Sequence, residues 1–296
     1  MAKMFPVVDV TGWDVDQFEA DGSDEKIWLI DPNTSLSALF KPNVRNDTAE
    51  QADHWPEKLA SEVAQRLGVP AARIDLAVRN GKRGCVSYDV KPEFWELQPG
   101  HVLLSDHLGT HDPRDKHRAG HTLDNIRTVL HKFGPPPNSN LPPRFNAFDL
   151  FAGYLVLDAV IANRDRHSAN WAVLLGPEET DRGLCPTYDH ATSLGFHLTD
   201  DHRRRKLGNP VEWEAYLRNG TAHRFQDCRK VTLVEFARRG LEMLSEAVRA
   251  YWRDRVRDLG KDHLNMLAST TPEMSVEART FAVELMDTNR RRLLDG

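Results

Sequence analysis

The chain is organised around the polar stretch NRDRHSAN, residues 163–170. An apolar segment from Phe145 to Ile161 leads into it, and a second apolar run, Trp171 to Leu175, leaves it. We expect the first to form a long buried helix and the second to form a strand. A further short strand, Leu184 to Tyr188, then ends at Asp189. Because apolar flanks hold a loop rigid, this arrangement is typical of a functional site.

Asp165 and Asn170 are five residues apart, which is the spacing of Asp-x-x-x-x-Asn in the catalytic loop of kinases. In that loop the Asp orients and deprotonates the attacking hydroxyl, and the Asn holds Mg²⁺. A carboxylate beyond the next hairpin also holds Mg²⁺, and Asp189 occupies that position. A structural interpretation stays open, because Asp, Asn and Ser are also common in loops and helix caps for local hydrogen-bonding reasons.

Composition excludes several classes of protein. The length of 296 residues is sufficient for one large domain or two lobes. The net charge of −5 provides no basic field, so we expect no direct binding of nucleic acid. Three widely spaced cysteines without a CxxC pair indicate neither structural zinc nor a disulfide framework. With no visible signal peptide or membrane-spanning apolar run, we expect a protein of the reducing cytoplasm.

The segments Ile27 to Ile30 and Ser37 to Lys41 are predicted to form a hairpin around the turn residues DPNT, residues 31–34. Such a hairpin could lie over a nucleotide and direct Lys41 at its phosphates. The alternative is that Lys41 is a solvated strand residue, as most lysines are.

A polar connection, Asn43 to Trp55, precedes a helix that Pro56 opens and Gly68 closes. Glu57 borders the apolar stripe of this helix, whereas Glu62 lies on the face towards water. Glu57 is therefore the better candidate partner for Lys41 in a cleft. Its alternative role is a favourable charge in the first turn of the helix.

The rest of the chain divides into two parts. A second hairpin is predicted over residues 73–90, and the segment Lys91 to Gly100 contains two prolines and few periodic apolar residues. We place the boundary there, giving a small N-lobe of residues 1–98 and a mainly helical C-lobe of residues 99–296. In the C-lobe we predict a helix over residues 121–133, a solvated charged loop over 201–206, and amphipathic helices over 231–259 and 275–294.

The order and chemistry of these candidates match a two-lobed phosphotransferase, which needs positioning and charge neutralisation more than covalent chemistry. The chain resembles the HipA-like atypical serine/threonine kinases, bacterial toxin-type enzymes. Phosphatidylinositol kinases have a similar loop, so lipid kinases are a related possibility. The resemblance covers roughly residues 27–195 and is carried by ALFKP (38–42), WPEKLAS (55–61), LGVP (67–70), NRDRHSANW (163–171) and PTYD (186–189).

This resemblance implies an α+β fold with a small β-rich N-lobe, a larger helical C-lobe and an ATP–Mg²⁺ cleft between them. It implies that Asp165 is the catalytic base, and that Asn170 and Asp189 are the Mg²⁺ ligands. Lys41 would bind the ATP phosphates, with Glu57 as its partner on the helix.

His167 stands where many such kinases carry histidine, and we interpret it as a hydrogen-bonding residue that orients the loop. A packed structural histidine is equally compatible with the sequence.

The sequence departs from the family pattern in two ways. The loop before Lys41, residues 31–37, contains no glycine, so backbone amides and the hydroxyls of Ser35 and Ser37 would have to hold the phosphates. HipA-like kinases can phosphorylate a serine in this loop, which makes self-phosphorylation of Ser35 or Ser37 a hypothesis. Longer HipA-type proteins carry an additional N-terminal subdomain, for which this chain has little room. An antitoxin partner is therefore expected by family analogy alone.

We therefore predict an enzyme that transfers the γ-phosphate of ATP to a serine or threonine hydroxyl of a protein, with itself as one hypothetical acceptor. A lipid headgroup or a small-molecule alcohol would present the same hydroxyl. Two further alternatives stay open. A metal-dependent phosphoesterase could use Asp165 and His167 with Asp189 and His190, but it leaves Lys41 unexplained. A non-catalytic nucleotide-binding module is favoured by the glycine-free loop, whereas competent side chains at every candidate position count against it.

Overall fold

A computed structural model describes residues 3–18, 26–43, 54–137 and 139–295 of the chain. Most of the predicted polar connection, residues 44–53, lies outside the described residues. The first part of the chain forms a six-stranded sheet with the strand order β1-β5-β6-β4-β3-β2. In chain order its elements are β1 (Val7–Asp9), β2 (Asp14–Phe18), β3 (Ile27–Ile30), β4 (Ser37–Pro42), α1 (His54–Leu67), β5 (Ile74–Arg79) and β6 (Lys82–Tyr88).

The second part is mainly helical and adds one three-stranded sheet with the order β7-β8-β9. Its elements are β7 (Glu96–Pro99), α2 (Gly100–Leu108), α3 (Leu123–Leu130), α4 (Ala147–Ile161), β8 (Ala172–Leu175), β9 (Arg182–Leu184), α5 (Asp200–Gly208), α6 (Pro210–Asn219), α7 (Leu233–Glu242), α8 (Glu246–Asp258), α9 (Lys261–Thr270) and α10 (Val276–Leu294). In the described part of the chain, none of these helices has both the length and the apolar character needed to cross a bilayer.

The predicted hairpin before Lys41 is confirmed, because β3 and β4 pair antiparallel with Ile30 opposite Ser37. Asp31 closes the connecting loop. Its carboxylate accepts hydrogen bonds from the Asn33 amide at 2.9 Å and the Thr34 hydroxyl at 2.8 Å. Its carbonyl accepts the amide of Ser35, which has a positive φ of 59°. Side-chain and backbone bonds of one buried aspartate therefore shape this loop without a glycine.

Helix α1 begins at His54, two residues before the predicted start, and ends before Gly68, whose φ is +72°. Ten of its fourteen residues are buried. Some of them, such as Leu59 and Val63, belong to the same apolar core as residues of α4. The helix therefore packs against β5 and β6 on one side and against α4, α8 and α9 on the other.

Helix α4 lies at the centre of the helical part, as its apolar sequence predicts. All fifteen of its residues are buried. It begins with a capping box, in which Asn146 and Asp149 each accept the other's backbone amide. It ends at Ala162, a non-glycine residue with a φ of +53°. This left-handed residue turns the chain sharply into the polar stretch of residues 163–170.

One prediction near the polar stretch needs correction. The strand predicted from Leu184 to Tyr188 is instead β9, which ends at Leu184. Pro186 has no amide to donate, so the ladder cannot continue through it. The chain then crosses to the first part of the molecule, where Thr187 forms a bridge with Ala71. Within the segment predicted to join the two parts, β7 forms and pairs with β8.

The C-terminal predictions were also wrong in detail. The charged run from Asp201 to Lys206 is not a loop but most of α5. Thr199 caps this helix, with acidic residues in the first turn and basic residues in the last, as the helix dipole favours. The helix predicted over residues 231–259 is divided into α7 and α8, because Ser245 caps a new helix start.

We expect Gly153→Ala, in the middle of α4, to lower the free energy of unfolding by about 1–3 kcal/mol, although alanine favours helices. An added Cβ would overlap the ring of Trp252 on α8. Urea unfolding measures the change. Gly208→Ala is the control, because nothing lies near its Cβ position, and it should raise stability by up to about 1 kcal/mol. Equal effects of the two variants would contradict the packing argument.

Candidate active site

Three of the predicted site residues meet at one point. Lys41 Nζ on β4 lies 2.8 Å from Glu57 Oε1 on α1 and 3.2 Å from Asp189 Oδ1. The second oxygen of Glu57 accepts the backbone amide of His190 at 3.0 Å. Glu57 is 1% exposed, whereas the Asp189 side chain is 42% exposed. The buried glutamate thus holds the lysine and the Asp189 segment together, and the aspartate faces open space.

The charges at this point reinforce each other. Burial disfavours the ammonium of Lys41, but the negative charges of Glu57 and Asp189 outweigh it and hold the pKa of Lys41 well above its usual value. Lys41 in turn lowers the pKa of Asp189 to about 2, against the opposing effect of burial. Both groups are therefore ionised at neutral pH. Asp189 has a backbone φ of +61°, so its position is maintained by the surrounding contacts.

Helix α1 separates the two candidate glutamates as the sequence predicted. Glu62 lies 2.7 Å from Lys58 on the neighbouring turn of the helix, while Glu57 faces Lys41.

The polar stretch of residues 163–170 is folded by its own hydrogen bonds. The side-chain amide of Asn170 donates from Nδ2 to the carbonyl of Asp165 at 2.8 Å. The opposite end of that amide, Oδ1, is left for another partner. His167 Nδ1 accepts the amide of Ala169 at 3.2 Å, so its ring takes part in the hydrogen bonds of the loop. His167 Nε2 lies 3.9 Å from Asp165 Oδ2.

A buried ion pair ties this loop to α4. Arg166 donates to both carboxylate oxygens of Asp158, each at 2.8 Å, and both side chains are 2% exposed. Asp158 also accepts the side-chain amide of Asn163 at 2.8 Å. A third nitrogen of Arg166 donates to the carbonyl of Asn170 at 2.5 Å. Arg166 therefore connects the Asn170 end of the loop to the central helix, and Asp158 itself holds the Asn163 end.

The loop is also attached to the segment that carries Asp189. Tyr188 donates its hydroxyl to the carbonyl of Ala169 at 3.1 Å. Thr192 donates to Asn163 at 3.3 Å. These two bonds flank Asp189 in sequence, so they hold the catalytic-loop candidates and Asp189 in fixed relative positions. Among the described residues, no hydrogen bond or ion pair joins Lys41 directly to the loop.

Three residues of this site were missed by sequence reasoning. Asp158 is an acidic residue in an otherwise apolar helix, and a buried carboxylate requires a partner, so its position was a usable signal. Arg224 Nη2 lies 2.5 Å from Asp165 Oδ1, at an angle that gives this buried oxygen no hydrogen bond. No local pattern marks Arg224, which is distant in the chain.

The third is His121, which is 1% exposed. Its Nδ1 donates to the carbonyl of Arg224 at 2.8 Å, and its Nε2 accepts the indole N–H of Trp171 at 3.2 Å. It therefore joins the chain after the loop to the segment that carries Arg224. Burial lowers the pKa of His121 to about 3, so its ring is neutral.

The two candidate serines lie apart from these contacts. Ser35 is exposed in the Asp31 loop, and Ser37 begins β4. In the part of the chain that the structure describes, neither hydroxyl bonds to Lys41, Asp165 or Asp189.

The donor chemistry of the site suits a magnesium nucleotide. No three His, Cys, Asp or Glu side chains converge to hold a metal within residues 3–18, 26–43, 54–137 and 139–295. A Mg²⁺ site made of one amide oxygen, one carboxylate and substrate phosphates would not contain such a group. The amide oxygen of Asn170 and the exposed carboxylate of Asp189 match these requirements, and Lys41 adds a cation for phosphate.

We expect Asp158→Asn to lower the free energy of unfolding by about 3–5 kcal/mol, because it leaves the charge of Arg166 buried without its partner. Asp254→Asn breaks the exposed pair with Arg257 and should change stability by less than about 1 kcal/mol. Denaturant unfolding of both variants gives the comparison. A loss of similar size in both would show that the buried pair does not fix the loop.

The pKa of His121 predicts a pH dependence. Its folded pKa of about 3 lies below the usual 6.5, so the unfolded chain binds a proton that the folded chain refuses. Stability therefore falls as the pH drops from 6.5 towards 3. Between about pH 7 and pH 5, His121→Gln should lose about 2 kcal/mol less stability than the wild type. Unfolding at both pH values tests this, with the exposed His107→Gln as control. An unchanged pH dependence in His121→Gln would contradict it.

Comparisons with known proteins identify the fold and the family. The chain is similar to the proinflammatory kinase CtkA of Helicobacter pylori, with a TM-score of 0.74 and 16% identity over 98% of this chain and 96% of that chain. It is also similar to a chain of the HipA–HipB toxin–antitoxin complex with operator DNA from Shewanella oneidensis MR-1, with a TM-score of 0.58 and 11% identity over 99% and 70% of the two chains. None of the curated proteins matches the chain.

At these identities the solved structures show a shared fold, and the expected two-lobed, kinase-like α+β fold is confirmed. The small lobe is rich in strands and the larger one is mainly helical. A model of the HipA-like C-terminal domain family matches residues 18–253, which is most of the 296 residues. The chain therefore belongs to the family of HipA-like C-terminal domains.

Proposed function

We propose that this protein is a kinase that transfers the γ-phosphate of ATP to a serine or threonine hydroxyl of a protein, with Mg²⁺ as the required ion. The observation that carries the proposal is the contact of Lys41 with both Glu57 and Asp189, at 2.8 and 3.2 Å. This contact joins a strand, a helix and a distant segment around one cation. Family membership and the shared fold add support.

Each candidate residue has a role that follows from its position. Lys41 would bind the phosphates of ATP, and Glu57 would keep its ammonium directed at them. Asn170 and Asp189 would hold Mg²⁺ through an amide oxygen and a carboxylate. Asp165 would orient the acceptor hydroxyl and accept its proton. The bound nucleotide and ion would supply a phosphoryl group whose charge is already neutralised.

Ser35 and Ser37 would contribute hydroxyls at the phosphate end of the nucleotide, with Ser35 as one hypothetical self-phosphorylation site. A phosphate added there would repel the ATP phosphates and displace the loop. Ser35 is exposed, as a modifiable residue must be.

The proposal also covers the acceptor, the lobe boundary, the cellular location and the partner. We infer a protein acceptor by family analogy, with a lipid headgroup or a small alcohol as the alternative that presents the same hydroxyl. We keep the lobe boundary between residues 98 and 99, within β7, and propose that the protein acts in the cytoplasm. The HipA neighbour was solved with HipB, so an antitoxin-like partner is a further proposal.

A phosphoesterase using His190 is disfavoured, because its ring is buried against Thr187 and Arg166.

The test is phosphate transfer from γ-labelled ATP to proteins of a cell extract. Asp165→Asn should lower the transfer rate by about a hundredfold or more while ATP still binds, because the hydroxyl loses its base. Asp262→Asn, an exposed carboxylate on α9, is the matched control and should transfer at the wild-type rate. Mass spectrometry of the enzyme after the reaction examines Ser35 and Ser37 directly.

Two results would count against the proposal. A wild-type protein that binds ATP but labels neither itself nor any extract component would be a nucleotide-binding module. Hydrolysis of phosphoesters that depends on Zn²⁺ or Mn²⁺ and not on ATP would indicate a phosphoesterase. An active enzyme with unmodified Ser35 and Ser37 would reject only self-phosphorylation.

A further inference from the structure

A cavity of about 240 Å³ lies beside the candidate active site. It begins at Arg164, the residue before Asp165, and at Thr192, which bonds to Asn163. Its other walls come from α5, α6, α10 and the start of α7. The cavity therefore adjoins the loop that carries Asp165.

The cavity is positively charged. Arg164, Lys206 and Arg292 line it, and no aspartate or glutamate does. None of these three side chains makes a hydrogen bond or an ion pair with any described residue, although Lys206 lies 5.3 Å from the ring centre of Tyr216. The cavity therefore has a positive lining in a protein of net charge −5.

Neighbouring basic residues on the same helices behave differently. Four of them are paired with a carboxylate. These are Arg203 with Asp200, Arg204 with Asp201 and Glu277, Arg205 with Glu212, and Arg291 with Asp287. On α5 and α10, the basic residues next to Lys206 and Arg292 are thus paired with carboxylates, whereas the two residues that face the cavity are not.

A buried polar side chain points to the same conclusion. Asn289 lines the cavity, is 5% exposed, and its side chain makes no hydrogen bond with a described residue. The side-chain amide of Asn289 is therefore available to a polar group in the cavity. Thr232, Leu233 and Val234, the cap and first residues of α7, also line the cavity.

The cations also lower the pKa of a histidine in the cavity wall. The pKa of His197, which also lines the cavity, is lowered by burial and then by Arg164, Arg203 and Lys206. The walls between the polar groups are apolar and include Leu198, Leu217 and Leu285. This combination fits a negative group on a short apolar stem better than a free inorganic ion.

We propose that this cavity binds a carboxylate or phosphate side chain of the protein that presents its hydroxyl to Asp165. The enzyme would thus prefer acceptor sites with an acidic or already phosphorylated residue close to the serine or threonine. This inference rests on the proposed kinase function for its meaning, but the binding itself does not require ATP.

Binding is tested first, by calorimetric titration without nucleotide. The probes are inorganic phosphate and three capped serine peptides that carry phosphoserine, glutamate or glutamine near the acceptor. The wild type should bind phosphate and the two anionic peptides but not the glutamine peptide. The double variant Lys206→Gln/Arg292→Gln should bind them about tenfold more weakly or worse. The two anionic peptides distinguish phosphate from carboxylate recognition.

The matched control is Arg205→Gln/Arg291→Gln, which removes two positive charges at the adjacent positions on the same two helices. It should change binding by less than about twofold, because these arginines face away from the cavity and pair with carboxylates. Equal losses of affinity in both double variants would show that only net charge matters, and this would overturn the proposal. Absence of binding of every anionic probe to the wild type would overturn it as well.

Transfer kinetics on the anionic peptides then separate this inference from the proposed function. The cavity variant should raise KM about tenfold with little change in kcat, because it removes binding rather than chemistry. If the wild type binds the peptides through this cavity but transfers no phosphate, the kinase proposal fails and the anion site stands. If it transfers phosphate equally well to the glutamine peptide, the anion site fails and the kinase proposal stands.

Discussion

The buried pair of Asp158 and Arg166 is the interaction on which the site depends. A carboxylate inside an apolar helix is unfavourable unless a cation and hydrogen bonds compensate it. The loop of residues 163–170 supplies both, through Arg166 and Asn163. The requirement of one buried charge therefore determines where a whole loop lies, and with it the positions of Asp165 and Asn170.

Arg166 also connects the loop to the residues around Lys41. It donates to the carbonyl of Asn170 and lies 3.4 Å from His190, the residue whose backbone amide bonds to Glu57. A continuous set of contacts thus runs from the central helix through the loop to the cation at Lys41. Such an arrangement positions charged groups before any substrate binds, which is the main contribution that a protein makes to phosphoryl transfer.

The sequence predicted those parts of the fold in which chemistry and periodicity coincide. Glu57 could be separated from Glu62 because a helical period places only one of them beside the apolar stripe. The glycine-free loop and the extent of α4 could likewise be predicted from the sequence. Arg224 was not, because its contact with Asp165 is set by packing between distant segments. The helix α5 was missed because its composition is almost entirely charged, although Thr199 and the order of its charges were typical of a helix.

The position of α1 restricts how the contact between Glu57 and Lys41 could be broken. Many kinases are switched off by swinging the helix that carries the glutamate away from the lysine. Here that helix is embedded in the main apolar core, and swinging it would expose side chains such as Leu59 and Val63, at about 1.5–3 kcal/mol each. The packing of α1 therefore holds Glu57 beside Lys41. A conformational change that breaks the contact while α1 stays in place would have to displace β4, the strand that carries Lys41.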